Sequence, residues 1–133
     1  MLCSIYTMLA AAGCAVSGDR TSDTAATTDW VLTRLYFGMS ISEGGHVTAE
    51  QWQVFVDDVV TPRFPDGWTQ LDASGQYRMT NGRIIREPTK VLLILHQPTN
   101  DTNRRMGELI DIYKQRHQQE SVLRVDSDVN ASF

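Results

Sequence analysis

The feature that most constrains the fold is the order of hydrophobic patterns, because a strand, helix and strand are followed by a second strand, helix and strand. From residue 30 to residue 133, segments that alternate with period two flank two segments whose apolar residues recur every three or four positions. A doubled unit of this kind folds as a four-stranded antiparallel sheet with two helices on one face. The sequence therefore predicts a single α+β domain with the ferredoxin-like βαββαβ arrangement. Many unrelated functions share that fold, so it assigns none by itself.

The first half of the pattern is the more regular one. Alternation over residues 32–39 predicts a strand with one apolar face. The spacing of Thr48 and Gln51 is typical of a capping box, which predicts the start of a helix. Pro62 is predicted to end that helix. Its apolar stripe consists of Trp52, Phe55, Val56, Val59 and Val60.

The middle of the chain is predicted to form a β-hairpin. Residues 68–79 are predicted to form the second strand, with a bulge near Ser74–Gly75. Asn81–Gly82 is a strong tight-turn signal. The third strand is predicted from Arg83 to His96, with an interruption near Pro88, where a ladder donor is missing.

The last two elements are a helix and a strand. Asp101 or Thr102 is predicted to cap the second helix, and residues 122–126 are predicted to close the sheet. In that last strand, alternation predicts that Leu123 and Val125 face inward and that Arg124 and Asp126 face outward.

The third strand raises a question about the second face of the sheet. Residues 91–95 are apolar at every position, as in a strand that is buried on both faces, yet two helices cover only one face. A second copy of the domain, the C-terminal segment Val129–Phe133 or a ligand would have to cover the other face. Face-to-face pairing of two sheets is the favoured interpretation.

The first residues suggest export. Residues 1–16 form an apolar leader in which Ala11, Ala12 and Gly13 precede Cys14. This pattern resembles a bacterial lipoprotein signal, which implies a lipid on Cys14 as the membrane anchor. A conventional cleaved signal and a disordered start are the alternatives. Residues 17–29, rich in Ser, Thr, Ala and Asp, are predicted to be a flexible tether.

Composition argues against several classes of protein. The 12 basic and 16 acidic side chains give a formal net charge of −4, which disfavours non-specific binding to nucleic-acid phosphates. The third strand carries Leu and Ile where RNA-recognition modules need aromatic and basic residues. Both cysteines precede the domain, and the three histidines lack metal-ligand spacing. The sequence therefore predicts no nucleic-acid partner, no metal and no cofactor.

Four segments, in the same order along the chain, are similar to a single family: Arg34–Ser40, Val60–Gly67, Arg83–Lys90 and Glu120–Asp126. It is the uncharacterised bacterial family catalogued as domain of unknown function 3574. The resemblance covers nearly everything after Trp30. It implies a small exported domain, often behind a lipoprotein-like leader, and it transfers no catalytic residue because the family has no established activity.

One predicted anion site lies on the sheet face away from the helices. Guanidinium groups beside a phenol can hold a carboxylate or phosphate, because arginine offers forked donors. The side chains predicted to share this face are Arg34, Tyr36, Arg124 and Asp126. The alternative is an Arg–Asp pair that fixes strand register or lines a dimer interface.

A second predicted site is the positive charge around the hairpin, which could attract an anionic ligand or lipid headgroups. Its basic residues are Arg63, Arg78, Arg83, Arg86 and Lys90. Acidic residues are interspersed among them, so ordinary surface pairing is the alternative.

Two single residues complete the set of candidates. Glu87 precedes the buried run and could act as a general base if it lies in apolar surroundings. The alternative is a hydrogen-bonded carboxylate that stabilises the strand near Pro88. His96 ends the third strand, where it either faces a ligand cleft or is hydrated.

The sequence favours an exported, lipid-anchored domain of the bacterial cell envelope that binds a partner protein or a small anionic ligand, as a homodimer. The alternative is a cofactor-independent enzyme of the dimeric α+β-barrel type, in which two facing sheets enclose an apolar cavity. A purely structural envelope protein is the third interpretation. The sequence does not decide whether the protein is catalytic.

Overall fold

The computed structural model of the protein describes residues 29–41 and 43–133. The predicted leader, almost all of the tether, and Cys14 lie outside the described residues. No helix in the described part of the chain is long and apolar enough to cross a bilayer. The elements are β1 (Trp30–Gly38), α1 (beginning at Ala49), β2 (Thr69–Arg78), β3 (Ile84–His96), α2 (Asn100–His117) and β4 (Leu123–Val129).

The four strands form one antiparallel sheet in the order β2-β3-β1-β4. This order and the two helices packed against one face confirm the predicted ferredoxin-like α+β fold. The core lies between the helices and the two central strands, where Leu35 of β1 stands opposite Leu92 of β3.

The aromatic centre of the core joins β1 to both helices. The ring of Phe37 lies 5.3 Å from that of Trp52, 5.8 Å from that of Phe55 and 4.7 Å from that of Tyr113, measured between centroids. All three contacts are edge-to-face, the arrangement that aromatic quadrupoles favour. Phe37 therefore holds the sheet against α1 and α2 at the same time.

Helix α1 starts as predicted and ends one residue later than predicted. Thr48 Oγ1 accepts the Gln51 N–H at 3.2 Å, and Gln51 Oε1 accepts the Thr48 N–H at 2.9 Å, which confirms the capping box. The helix then widens into a π-helical segment, Val56–Val60, and finishes with Thr61–Arg63. Proline cannot donate to the preceding turn, and the wide turn just before Pro62 lets the helix include it.

The hairpin is more regular than predicted. Strands β2 and β3 pair one to one from Thr69–Leu93 to Arg78–Ile84, so the predicted bulge near Ser74–Gly75 is absent. Strand β3 also runs through Pro88 without interruption. The backbone polar groups of Pro88 point toward β1, where its carbonyl accepts the Met39 N–H at 3.0 Å. Because these groups face β1 and not β2, the missing proline N–H removes no bond of the β2–β3 ladder.

The start of α2 also differs from the prediction. Thr99, rather than Asp101 or Thr102, is the N-cap, and its hydroxyl oxygen accepts the Thr102 N–H at 3.0 Å. The prediction placed the helix start too late because several polar residues in succession can each serve as a cap.

The two faces of strand β4 are the reverse of the prediction. Its register places Arg124 opposite Leu35, so Arg124 and Asp126 point toward the helices, and Leu123 and Val125 point away from them. Arg124 donates to Asn103 Oδ1 of α2 at 2.8 Å, which shows that α2 offers a polar partner at this edge. The predicted anion site therefore does not form, because Arg34 and Arg124 lie on opposite faces.

Candidate functional site

The sheet face away from the helices carries the site with the most distinctive chemistry. We call it the open face, and strand alternation with the observed register defines its residues. They are Trp30, Leu32, Arg34, Tyr36 and Gly38 of β1; Thr69, Leu71, Ala73, Gly75 and Tyr77 of β2; Ile85, Glu87, Thr89, Val91, Leu93 and Leu95 of β3; and Leu123, Val125, Ser127 and Val129 of β4. This face is mostly apolar, and Arg34 and Glu87 are its only charged residues.

Glu87 occupies an unusual position for a carboxylate. Only 6% of its surface is exposed, and its Oε2 atom accepts the backbone N–H of Ser40 at 2.6 Å. The side chain lies across β1 at Gly38, where a Cβ atom would stand 2.8 Å from the carboxyl carbon of Glu87. The absence of a side chain at Gly38 is therefore what allows the carboxylate to lie there.

A recess of about 200 Å³ opens above this carboxylate. It is lined by Glu87 and Thr89 of β3, Tyr36 of β1 and Tyr77 of β2, with Gln119, Ser121 and Leu123 at its rim. We call it the Glu87 recess. Gln119 Nε2 donates to the Ser40 carbonyl at 2.7 Å, so the segment before β4 is attached to the segment that holds Glu87.

Two phenols that interact electrostatically with Glu87 are kept in their protonated form. Burial raises the pKa of Tyr77, and the negative charges of Glu87 and Glu120 raise it further against the opposing effect of Arg83. Burial also raises the pKa of Tyr113, with an added contribution from Glu87. Tyr113 lies on the helix side of the sheet, where its hydroxyl donates to the Gly38 carbonyl at 2.7 Å.

This arrangement can accept a cation or a hydrogen-bond donor. A buried carboxylate attracts positive charge strongly because little water competes for it, and the face of Tyr36 or Tyr77 offers a further surface for a cation. A carboxylate beside a protonated phenol is also a general base beside a general acid. The recess is smaller than most ligand pockets, so it fits one end of a small molecule.

The predicted ligand-binding residues separate into three groups. Arg34 and Tyr36 lie on the open face, and Tyr36 lines the Glu87 recess. Arg124 lies on the helix side, where it contacts Asn103 and also Asp126 at 3.0 Å. Burial acts to raise the pKa of Asp126, but hydrogen bonds from Thr33 and Arg124 together with the nearby positive charge of Arg124 lower it below its usual value.

The basic residues around the hairpin do not form one site. Arg86 and Lys90 alternate with the open-face residues and point to the helix side. Arg86 Nε donates to Gln76 Oε1 at 2.7 Å, and Lys90 pairs with Asp72. Arg63 pairs with Glu108 at 3.4 Å, on the helices.

His96 does line a cleft, but both nitrogens of its ring already take part in hydrogen bonds within the protein. It belongs to the wall of a groove of about 870 Å³ beside the N-terminus of α2. Its Nε2 lies 2.8 Å from the Thr33 hydroxyl, which donates to Asp126 at 2.6 Å, and its Nδ1 lies 3.0 Å from the Gln97 carbonyl. The groove is larger than the Glu87 recess, but Arg105 pairs with Asp101 at 2.7 Å and Arg63 pairs with Glu108, so these three lining charges are already used.

His117 is a second buried histidine with no ligand role in this arrangement. Its Nε2 atom is buried without a hydrogen-bond partner, and its ring packs 4.7 Å from that of Tyr113. Burial lowers the pKa of His117, and the nearby Arg116 lowers it further. The neutral ring is therefore part of the apolar core. In the described part of the chain, no cluster of three His, Cys, Asp or Glu side chains could hold a metal ion.

Most of the recess is not predicted by the sequence patterns. Thr89, Tyr77 and Gln119 were not candidates, and Glu87 was considered only as a single residue. The available signal was Gly38, a glycine within a strand, which often marks a place where another group approaches the backbone closely.

The fold and the Glu87 recess define this protein as a ferredoxin-like α+β domain with a polar recess on an otherwise apolar sheet face. Solved structures share the fold. A phage SAM lyase in complex with S-methyl-5′-thioadenosine is 16% identical with a TM-score of 0.59, and the match covers 78% of this chain and 91% of that chain. CutA from Xylella fastidiosa is 18% identical with a TM-score of 0.54, over 79% of this chain and 88% of that chain. The periplasmic divalent cation tolerance protein CutA from Archaeoglobus fulgidus is 7% identical with a TM-score of 0.50, over 78% and 87%.

At these identities the likeness shows the fold alone. The family is shown by a sequence model described as protein of unknown function, DUF3574, which matches residues 32–133. The chain belongs to that family, which confirms the resemblance seen in its sequence. No curated protein matches the sequence significantly.

Proposed function

We propose that this protein is a small-molecule-binding domain of the bacterial cell envelope and that the Glu87 recess is its ligand site. The observation that carries the proposal is the almost fully buried side chain of Glu87, a carboxylate that lines an accessible recess. Burying a carboxylate is costly unless it has strong partners, so a group of this kind on an apolar face is a candidate for function. The phage lyase in complex with S-methyl-5′-thioadenosine supports the proposal, because a protein of this fold holds a small molecule in that complex.

The ligand we propose carries an ammonium or another cationic group beside an aromatic or apolar body. The cation would pair with Glu87, and the body would contact Tyr36 and Leu123 at the wall of the recess. The small anionic ligand predicted from the sequence has less support, because Arg124, Arg86 and Lys90 lie on the helix side with partners of their own.

A matched series of ring compounds tests the charge preference. Benzylamine, benzyl alcohol and benzoate share one ring and differ in charge, and calorimetric titration of the full chain measures their affinities. We expect benzylamine to bind more tightly than the other two and Glu87→Gln to weaken its binding at least tenfold, because the charge partner is lost. Asp72→Asn, which removes a carboxylate from the helix side, is the control and should bind benzylamine like the wild type. Preferential binding of benzoate, or equal affinity in Glu87→Gln, would refute the proposal.

A cofactor-independent enzyme is the second candidate function. The observation that favours it is the interaction between Glu87 and Tyr77, a carboxylate and a protonated phenol that both line the recess. An enzyme would convert a bound ligand, and Tyr77→Phe would then abolish turnover while Glu87 still bound the cationic group. A binding domain would release the ligand unchanged.

We also propose that the protein is exported and anchored through a lipid on Cys14, as its leader suggests. Cys14→Ser removes the thiol that would carry the lipid, so it should shift the protein from the membrane fraction to the soluble envelope fraction. Immunoblotting of fractionated cells measures the shift, and Cys3→Ser is the matched control. A Cys14→Ser protein that remains in the membrane fraction would contradict the lipid anchor.

A further inference from the structure

The open face exposes a large apolar surface in the single chain. Leu71, Leu123 and Val125 are 50%, 59% and 37% exposed, respectively. The C-terminal segment, one of the predicted covers, does not cover this face, since Phe133 is fully exposed and its ring lies against Trp30 at the start of β1. Apolar surfaces of this extent are typical of interaction sites.

The two charges on this face have no partner of opposite charge within the described chain. Neither Arg34 nor Glu87 takes part in any ion pair among the described residues. Arg34 Nη1 donates to the Ser127 hydroxyl at 3.1 Å, and Ser127 stands opposite Leu32, so the guanidinium points away from Glu87. Glu87 lies six positions before Leu93, the partner of Arg34, which is about 20 Å along the strand.

We propose that a second copy of this chain covers the open face and that Arg34 of one copy pairs with Glu87 of the next. A cation and an anion at separate positions on one apolar face are complementary to the same face in another copy. In a dimer with a two-fold axis, Arg34 of each copy pairs with Glu87 of the other copy. In a closed ring, Arg34 of each copy pairs with Glu87 of the next copy. A partner of other chemistry would need its own matching charges, whereas a second copy already carries them.

The size of the face fits this assignment. The four strands have 9, 10, 13 and 7 residues and lie about 4.8 Å apart, so the sheet spans roughly 19 Å by 30 Å before the side chains are counted. A standard interface buries about 800 Å² on each partner, so the open face is close to the area that a stable dimer needs.

The pairing also bears on the proposed ligand site, because Arg34 of the second copy and a cationic ligand would use the same Glu87 carboxylate. Association of the protein and binding of a cationic ligand should therefore compete. This part of the inference rests on the proposed function. The association itself does not, because it follows from the apolar area and the two charges.

Sedimentation equilibrium of the full chain tests the association. We expect the wild type to self-associate and Arg34→Met and Glu87→Gln each to weaken association at least tenfold. The double variant should associate at least as tightly as the single variant with the lower association constant, because both substitutions remove the same pair. Arg78→Met, on the helix side of the same sheet, is the control and should associate like the wild type. Circular dichroism establishes that each variant is folded.

Three results would overturn the inference: a wild type that is monomeric at tens of micromolar, independent effects of the two substitutions, or an equal loss in Arg78→Met. Benzylamine titration separates this inference from the proposed function. If Arg34→Met dissociates the protein while benzylamine still binds, the association is supported independently of the ligand. If Glu87→Gln loses benzylamine but associates normally, the ligand site is supported and the charge pair is refuted.

Discussion

Replacing Phe37 with alanine is expected to destabilise the protein by about 3–5 kcal/mol, the range for deleting a buried aromatic side chain. Phe37 is fully buried and makes edge-to-face contacts with Trp52, Phe55 and Tyr113, so its removal leaves a cavity where the sheet meets both helices. A domain of this size is stable by only about 5–15 kcal/mol, so the variant will lose a large fraction of its stability.

Urea unfolding followed by tryptophan fluorescence measures the change. Phe133→Ala is the matched control, because it deletes the same side chain from a fully exposed position. We expect the control to stay within about 0.5 kcal/mol of the wild type. Similar losses in the two variants would mean that Phe37 is not at the centre of the core.

Replacing Gly38 with alanine is expected to displace the Glu87 carboxylate and to cost about 1–3 kcal/mol, the usual range for overpacking. A Cβ atom at Gly38 would lie 2.8 Å from the carboxyl carbon of Glu87 and 2.9 Å from its Oε2, the atom that accepts the Ser40 N–H. The carboxylate would have to leave this position and lose that hydrogen bond. Benzylamine binding should therefore weaken together with stability.

Two further variants identify the cause of that loss. In a Glu87→Ala background the clash is absent, so Gly38→Ala should cost less there by about 1 kcal/mol. Gly75→Ala is the control, since it adds the same methyl group on the same face but its Cβ would meet the Thr89 side chain, with Oγ1 at 2.7 Å, and not the Glu87 carboxylate. An equal cost of Gly38→Ala in both backgrounds, measured by urea unfolding, would show that the carboxylate does not lie across Gly38.

The fold could be predicted from the sequence because its signals are local. The capping box at Thr48 and the alternation of β1 each depend on a few neighbouring residues, and the structure contains both. Strand β4 was predicted in the wrong orientation because its alternation is equally regular on either face. Only the register with β1 and the contact between Arg124 and Asn103 decide which face points to the helices.

The recess could not be predicted in the same way, because it depends on residues far apart in the chain. Glu87 lies over Gly38 only because β3 pairs with β1 and continues past the end of that strand. The predicted interruption at Pro88 would have placed Glu87 in an irregular segment. Strand alternation alone therefore could not indicate that a carboxylate and two phenols share one recess.

The peptide group of Gly38 is in contact from both sides of the sheet. Its carbonyl accepts the Tyr113 hydroxyl from the core, and its Cα faces the Glu87 side chain on the opposite side. Segments packed against the core open least often and exchange their amide protons most slowly. We therefore expect the backbone that supports the Glu87 carboxylate to move little. A molecule that docks there would meet a preorganised anchor, and little entropy would be lost in fixing it.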